Sequence, residues 1–600
     1  MTKAFTGRCL LWGGCIAGFI VLGIRAYGYY TNDQSAFILI ADAFARTGKL
    51  IAYPEGAVPY YGNFHPPLMI MLLGCFVRIG GVMIGPMLFL ISSLGICLWL
   101  LLGVQKRFLG HIPSTIEKAA LCLLFFIAPF THESVLFLDI DNTVLVAWGA
   151  LFLLAHYSVH RFHTRSVFST AMIMGVVFAL GLWCKFTTPA VVCAAWVVWI
   201  VATSERHARA LLAGLLAVCF GVALFLASYL PFCCAQGLPI WDPVIIAAHR
   251  FHEHQAIKGP DVFFGSALRA IFFDMHWFSF LFLPLVIFQT VRELRPMLRS
   301  RKEMQAIFPL FMFWAIYLVY TIVMPTCLQY MPRYKYGLLP FFVWWMWRPF
   351  KQWIITERHQ TLVLLGIAAV VLLFVLPDFP TSVARLRLWN HSFSFCHWHV
   401  AYYPESFVIQ LSSWAKTAKQ SFWLLPFRMV CFAVHYITWL GVLVFSIHCC
   451  AVAAVYAVTR DIMRSLWLVI VPLWLSLFIA NMSRDYQLFY DPGTAGFSEA
   501  ASYLKKNLKA GEKFLGYRDL VVYTGHQAWC LYDYNDGERK IDTIRIDSLV
   551  RRERLWMCAY LNDDVYKDNT VLLSYLHHNF DTALVCKDYR IWRKKPSQVK

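Results

Sequence analysis

Long apolar runs alternate with short polar ones over most of the chain. Runs long enough to span a bilayer fall near residues 8–24, 82–104, 119–138, 142–158, 167–184, 186–203, 210–232, 271–291, 305–325, 336–347, 360–377, 429–458 and 466–482. A membrane-crossing helix needs about 20 apolar residues, so the pattern predicts about 13 spans, with 336–347 the shortest. The first run has no small-residue cleavage site after it and is predicted to stay as a membrane helix. From about residue 483 the pattern changes. Phe497, Ala500, Ala501 and Leu504 recur at helical spacing over 497–508. Strand-like runs follow at 513–523, 541–546, 582–587 and 589–593, with a helix predicted over 569–578. The expected fold is an α-helical polytopic membrane protein, residues 1–482, carrying a small α/β domain, residues 483–600.

Composition narrows this reading. Apolar residues make up 59% of the chain and charged residues 14%, against roughly 45–50% and 25% in soluble globular proteins. The 118 residues from Ser483 onward carry 19 Lys+Arg and 16 Asp+Glu. The first 482 residues hold the remaining 52 charges, too few to cover a soluble surface of that size. Disorder, collagen and coiled coil are excluded by the same figures.

The net charge of +19 lies almost wholly in the membrane part, since the tail contributes only +3. Short basic loops explain it without a nucleic-acid partner. With the N-terminus inside, Lys106/Arg107, Arg161/Arg165, Arg206/Arg209, the cluster Arg292/Arg295/Arg299/Arg301/Lys302, Arg348/Lys351 and Arg460/Arg464 all fall in inside loops. Residues 25–81, 139–141, 233–270, 326–335 and 378–428 and the tail then face outward. The expected location is the inner (plasma) membrane, with an extracytoplasmic C-terminal domain.

Several residues on that outer side carry chemistry. Asp33 follows the first span within IRAYGYYTNDQSAFILIADAF, as a functional acid or a helix N-cap. In GNFHPPLMIMLLG two prolines open an apolar helix, with His65 just before them. Asp139 and Asp141 sit in a turn of a few residues between two spans, where carboxylates are costly unless partnered or functional. Lys185, in GLWCKFTTPAVV, interrupts two apolar runs and needs an anion or a snorkelling path. Arg333 and Lys335 open another outer helix in MPRYKYGLLPF, as anion ligands or as interfacial anchors.

In HRFHEHQ, His249 and His252 can contact substrate. His252 and His254 share a strand face but not a helix face. Isolated histidine clusters in wet loops are more often merely polar, so neither this run nor HSFSFCHWH is read as a metal site. Cys530, Cys558 and Cys586 leave room for one disulfide if the tail is extracytoplasmic. The tail has no Gly-rich phosphate loop and no nucleophile elbow.

The order of these motifs resembles the GT-C superfamily of membrane glycosyltransferases, closest to the protein O-mannosyltransferase and lipid A aminoarabinose transferase type. The resemblance rests on Asp33, the HPPL at 65–68, Asp141, the GLWCK at 181–185 and the RYKYGLLP at 333–340. It covers residues 1–350 by motif and the rest by architecture. There are departures. The family often has Asp-Glu in its first external loop, where this chain has Asp33-Gln34. Members with Glu-Lys before the prolines have Phe64-His65 as their counterpart here, which makes His65 a weaker, pH-dependent cation.

The resemblance implies a polyprenyl-phosphate sugar donor, an extracytoplasmic glycolipid, lipopolysaccharide or protein acceptor, and inversion. No cofactor is implied, and a divalent metal is not indicated. Asp33 is then the general base, and Asp141 orients a substrate or shares that role. Lys185, Arg333 and His65 face the donor phosphate. Asp139, Lys335, His249 and His252 are further substrate contacts. Two rivals belong to other classes. One is a transporter or flippase of lipid-linked glycan, for which midplane charges and inverted repeats are the expected signs. The other is a catalytically silent assembly partner.

Overall fold

The computed structural model describes residues 3–28, 30, 33–52, 60–61, 66–128, 131, 134–135, 138–160, 166–238, 290–291, 301–320, 336–355, 450, 453, 456–457, 460, 496–516, 518–529, 543–561, 570–586 and 589–595. The chain divides into two compact units. One comprises Met1–Ala26, Phe64–Pro66 and Leu90–Arg484. The other comprises Tyr27–Asn63, Pro67–Phe89 and Asp485–Lys600.

Among the described residues, the regular elements of the first unit are all helices. Helix α1 is Lys3–Ala26. Helix α2, Asp33–Thr47, belongs to the second unit. Helix α3, Leu68–Leu109, starts directly after the two prolines and runs from the second unit into the first. It is longer than the run at 82–104 predicts. The prolines set its start, and Gly81 breaks its helical geometry at φ 66°.

Helix α4, Thr115–Ile127, begins with a capping box in which Ser114 and Glu117 satisfy each other's backbone N–H groups. It stops well short of the predicted end at 138. Pro129 follows its C-cap Ala128, and the residue before a proline is driven out of the helical region, here to ψ 129°. Then come α5 (Val144–His160), α6 (Val167–Cys184), α7 (Thr187–Thr203), α8 (His207–Gln236), α9 (Arg301–Leu318) and α10 (Leu339–Ile355). The predicted runs at 271–291, 360–377, 429–458 and 466–482 lie wholly or largely outside the described residues.

Among the described residues, α3, α6 and α8 are long and apolar enough to cross a membrane. Exposure shows what surrounds such helices. Trp12, Ile16 and Ile20 form a stripe four residues apart on α1, each more than half exposed. On α8, Leu211, Leu212, Leu215, Leu216, Val222, Leu224 and Leu226 are all exposed. In water, apolar faces this long would drive association. Lipid covers them without cost.

In the second unit, the tail forms a five-stranded sheet of order β4-β3-β5-β7-β6: β3 Phe514–Gly516, β4 Ala528–Trp529, β5 Met557–Leu561, β6 Phe580–Cys586 and β7 Tyr589–Lys594. A two-stranded pair, β1 (Ile51–Ala52) with β2 (Tyr60–Tyr61), lies in the same unit. Strand β3 runs parallel to β4 and β5, while β7 is antiparallel to β5 and β6.

Side chains alternate across the five-stranded sheet. Phe514, Met557, Ala559 and Ile591 meet helices α11 (Phe497–Asn507) and α12 (Arg518–Thr524). Leu515, Cys558 and Trp592 meet α13 (Thr543–Arg552) and α14 (Thr570–Asn579). The tail is thus a three-layer α/β unit.

Two predicted strands are corrected. Residues 513–523 form a strand only over Phe514–Gly516, and Arg518–Thr524 is helical. Of the run predicted at 541–546, the described part from Thr543 onward is helical and opens α13. Ile544 and Ile546 alternate with arginine and so read as a strand. Ile546 and Val550, one helical turn apart, are the pair buried in the core.

Strand β7 lies between β5 and β6, which separates Cys558 from Cys586 by about two strand spacings, roughly 10 Å. Both are buried, and they are too far apart to form a disulfide with each other. Burial pushes the Cys558 thiol well above its ordinary value. Cys530 lies outside the described residues.

Candidate active site

The break between α6 and α7 places Lys185. Helix α6 starts on Ser166, whose hydroxyl accepts from the Ser169 N–H, and runs unbroken to Cys184. Lys185 is the C-cap, in extended conformation, with its N–H donating to the Gly181 carbonyl at 2.9 Å. Helix α7 then restarts at Thr187, with Pro189 in its first turn, where a missing N–H costs nothing. The break turns the lysine inward, so its side chain is only 6% exposed.

The Lys185 ammonium lies 2.6 Å from Asp141 Oδ2, and the Asp141 side chain is 1% exposed. A buried charge without a counter-charge is strongly destabilising, and each of these two supplies the other's. The ammonium also sits 5.9 Å from the ring centroid of Tyr320, a cation–π distance. The Tyr320 hydroxyl is 2.5 Å from Thr188 Oγ1 and 3.1 Å from Thr187 Oγ1, which ties the end of α9 to the start of α7.

The turn before α5 presents Asp141. The Asp139 N–H donates to Asn142 Oδ1 at 3.0 Å, and Asp139 Oδ1 accepts from the Ile140 N–H at 2.6 Å. Thr143 Oγ1 donates to the Asp139 carbonyl at 2.6 Å, and Asn142 Nδ2 donates to the Ser134 carbonyl. Asp139 and Asn142 thus shape the turn, while the Asp141 carboxylate reaches Lys185.

Glycines pack the motif segments closely around this pair. A Cβ on Gly181 would stand 2.6 Å from Trp148 Cε2. Trp148 Nε1 donates to the Val177 carbonyl at 2.7 Å, which locks α5 to α6. The glycine of GLWCK therefore makes room for the tryptophan that holds the Asp141 helix against the Lys185 helix. A Cβ on Gly149 would stand 2.8 Å from Pro340 Cγ, and one on Gly337 would be 3.8 Å from Thr188 Cγ2. The GLLP stretch after Arg333 thus packs against both α5 and the first turn of α7. Three of the five motif segments meet around one buried ion pair.

The other predicted site residues divide plainly. Asp33 is the first residue of α2. His65, His249, His252, Arg333 and Lys335 lie outside the described residues. Sequence reasoning missed Tyr320, Thr187 and Thr188, because neutral residues inside apolar runs give no signal.

It also missed His156, buried in α5, about 18 Å along that helix from Val144. Its Nδ1 accepts from Trp196 Nε1 at 3.3 Å, and its Nε2 stands 3.3 Å from Gln305 Oε1. The ring stacks on Phe308 at 3.7 Å. Those contacts tie α5 to α7 and α9, which is a packing role.

The fold of this chain is shared with solved structures over almost its whole length. The particular likeness is to ArnT from Cupriavidus metallidurans. Its crystal structure bound to undecaprenyl phosphate matches 99% of this chain and 99% of its own, with a TM-score of 0.57 at 14% sequence identity. The apo structure of the same protein gives a TM-score of 0.55 at 13% identity, again over 99% of both chains. The archaeal oligosaccharyltransferase AglB from Archaeoglobus fulgidus, in complex with an inhibitory peptide and a dolichol-phosphate, covers 99% of this chain and 75% of its own at 9% identity and a TM-score of 0.42, too loose to carry weight. No protein-family model matches the chain, and no curated protein matches it by sequence. At these identities the likeness is one of fold.

Proposed function

We propose that the protein is an integral-membrane glycosyltransferase that moves one sugar from a polyprenyl-phosphate carrier to an extracytoplasmic glycolipid, lipopolysaccharide or protein, with inversion at the anomeric carbon. The observation that carries this reading is the buried Lys185–Asp141 pair at the meeting point of three motif segments. It is supported by the fold shared with a protein whose structure holds undecaprenyl phosphate. The tail, in this reading, lies on the extracytoplasmic side of the inner membrane.

The chemistry follows from the donor. The acceptor oxygen attacks the anomeric carbon and gives its proton to the Asp33 carboxylate. The bond from that carbon to the phosphate oxygen breaks, and its electron pair leaves with the phosphate. A phosphate leaves as a stable anion, so no general acid is needed. Cations that strengthen their hold as charge develops lower the barrier.

Lys185 takes that role, with Asp141 fixing its position and balancing its charge when the carrier is absent. Arg333 closes on the same phosphate with a fork of donors suited to bidentate contact. His65 adds a weaker cation. Asp139, Lys335, His249 and His252 are assigned to the sugar and acceptor.

Donor binding tests the reading. Undecaprenyl phosphate titrated onto the purified protein is expected to bind at least tenfold more tightly than undecaprenol, which has the same tail and no phosphate. Equal affinity for the two lipids would remove the phosphate site from the account.

A further inference from the structure

The tail holds the segment that carries Asp33. Tyr27–Asn63 and Asp485–Lys600 belong to one compact unit. Within it, one short helix of the tail, α12, contacts the chain on both sides of Asp33. Three residues before Asp33, the Tyr30 N–H donates to the Tyr523 hydroxyl at 2.5 Å, and that hydroxyl donates to the Tyr30 carbonyl at 2.9 Å. Two residues after Asp33, the Ser35 hydroxyl donates to Asp519 Oδ1. Ser35 is fully buried and Asp519 nearly so.

Both α12 side chains are themselves fixed. The Tyr523 ring packs edge-on against Phe497 at 5.4 Å, and Phe497 packs against Tyr589 of the sheet at 5.6 Å. Leu520, between the two contacts, is buried in the same core. Thr524 Oγ1 donates to the Leu520 carbonyl at 2.7 Å.

A single phenol hydroxyl that engages both backbone groups of Tyr30 fixes the chain's path more tightly than a packing contact does. The second contact, five residues on, fixes the rotation of α2. Asp33 begins that helix between the two points.

We infer that Tyr523 and Asp519 are positioning residues for Asp33, so that the tail domain sets the geometry of the catalytic base. This inference rests on the assignment of Asp33 as base. A base displaced by about 1 Å loses up to roughly 100-fold in rate, because the reacting atoms no longer start within attack distance. Ordering of the tail onto the first external segment is then a condition for turnover, and a change in the tail far from the donor would be felt in catalysis.

The test uses the full-length protein. Tyr523→Phe keeps the ring against Phe497 and removes only the hydroxyl. Asp519→Ala removes the Ser35 acceptor, and Asp519→Asn keeps an amide oxygen in its place. Turnover, undecaprenyl phosphate affinity and hydrogen exchange are measured on each.

Tyr523→Phe and Asp519→Ala are expected to lower turnover roughly 10- to 100-fold. Donor affinity is expected to stay within about twofold, and exchange to rise in peptides covering residues 27–47 while strands β5–β7 stay protected. Asp519→Asn is expected to recover most of the turnover. Should Tyr523→Phe fail to fold, Ser35→Ala removes the second contact from the other side and carries the same expectations. Unchanged exchange over 27–47, or unchanged turnover with raised exchange, would overturn the inference. Loss of transfer by the wild-type protein itself would count against the glycosyltransferase reading alone, and the exchange data would still decide whether the tail holds this segment.

Discussion

Lys185 and Asp141 lie 44 positions apart in the chain and 2.6 Å apart in the fold, both buried in the first unit. The contact joins two buried opposite charges, each serving as counter-charge to the other. Removing one member takes away the other's buried counter-charge at 2.6 Å, a loss of about 3–5 kcal/mol. Lys185→Ala and Asp141→Ala should each lower the thermal unfolding midpoint in detergent by a large step. The double variant should be more stable than the sum of the singles implies. Additive losses would mean that the two charges do not depend on each other.

The same pair has a second readout. If Lys185 and Arg333 both hold the donor phosphate, Lys185→Ala and Arg333→Ala each weaken undecaprenyl phosphate binding. Charge-assisted contacts are worth about 1.5–3 kcal/mol, or roughly 10- to 150-fold in affinity. The double variant should lose more than either single. Unchanged affinity in both would make them structural or interfacial cations.

Gly181 offers a change that leaves every charge in place. Its Cβ would meet the Trp148 ring at 2.6 Å, closer than any side chain can sit. Gly181→Ala should therefore push α5 and α6 apart beside the ion pair, at about 1–3 kcal/mol. A lower unfolding midpoint together with reduced donor affinity is the expected result. A wild-type midpoint would show that Trp148 can turn aside without effect.

Much of this was legible in the sequence, and for identifiable reasons. Lys185 stood out because an ammonium in an apolar break demands an explanation, and Asp141 because a carboxylate in so short a turn does. Their contact was not legible, since nothing local records which helices will pack. The glycine of GLWCK read as part of a motif. Its reason, the Trp148 ring, appears only when α5 and α6 are brought together. Helix α13 was misread because Ile544 and Ile546 alternate with arginine as strand residues do. The hold of Tyr523 on Tyr30 spans 493 positions and involves residue types common in any loop.

Topology gives a prediction independent of catalysis. In the proposed arrangement the tail lies on the same side of the membrane as the segment that Tyr523 and Asp519 contact. The basic cluster Arg292–Lys302 belongs on the opposite side by the charge rule. Reporter fusions at residue 300 and at the C-terminus should give opposite signals. The same signal from both would contradict this arrangement.

Sugar transfer itself decides whether Asp33 serves as the base of a glycosyltransferase. Purified wild-type protein and Asp33→Asn are each given a panel of polyprenyl-phosphate sugars with extracted envelope glycolipid or protein as acceptor, and free polyprenyl phosphate is measured alongside labelled product. Wild-type protein is expected to release the carrier and label the acceptor in equal amounts with at least one donor. Asp33→Asn, which keeps its shape and loses its proton acceptor, should do so at least about 100-fold more slowly while still binding donor. No transfer from any donor, or transfer at the wild-type rate by Asp33→Asn, would contradict that role.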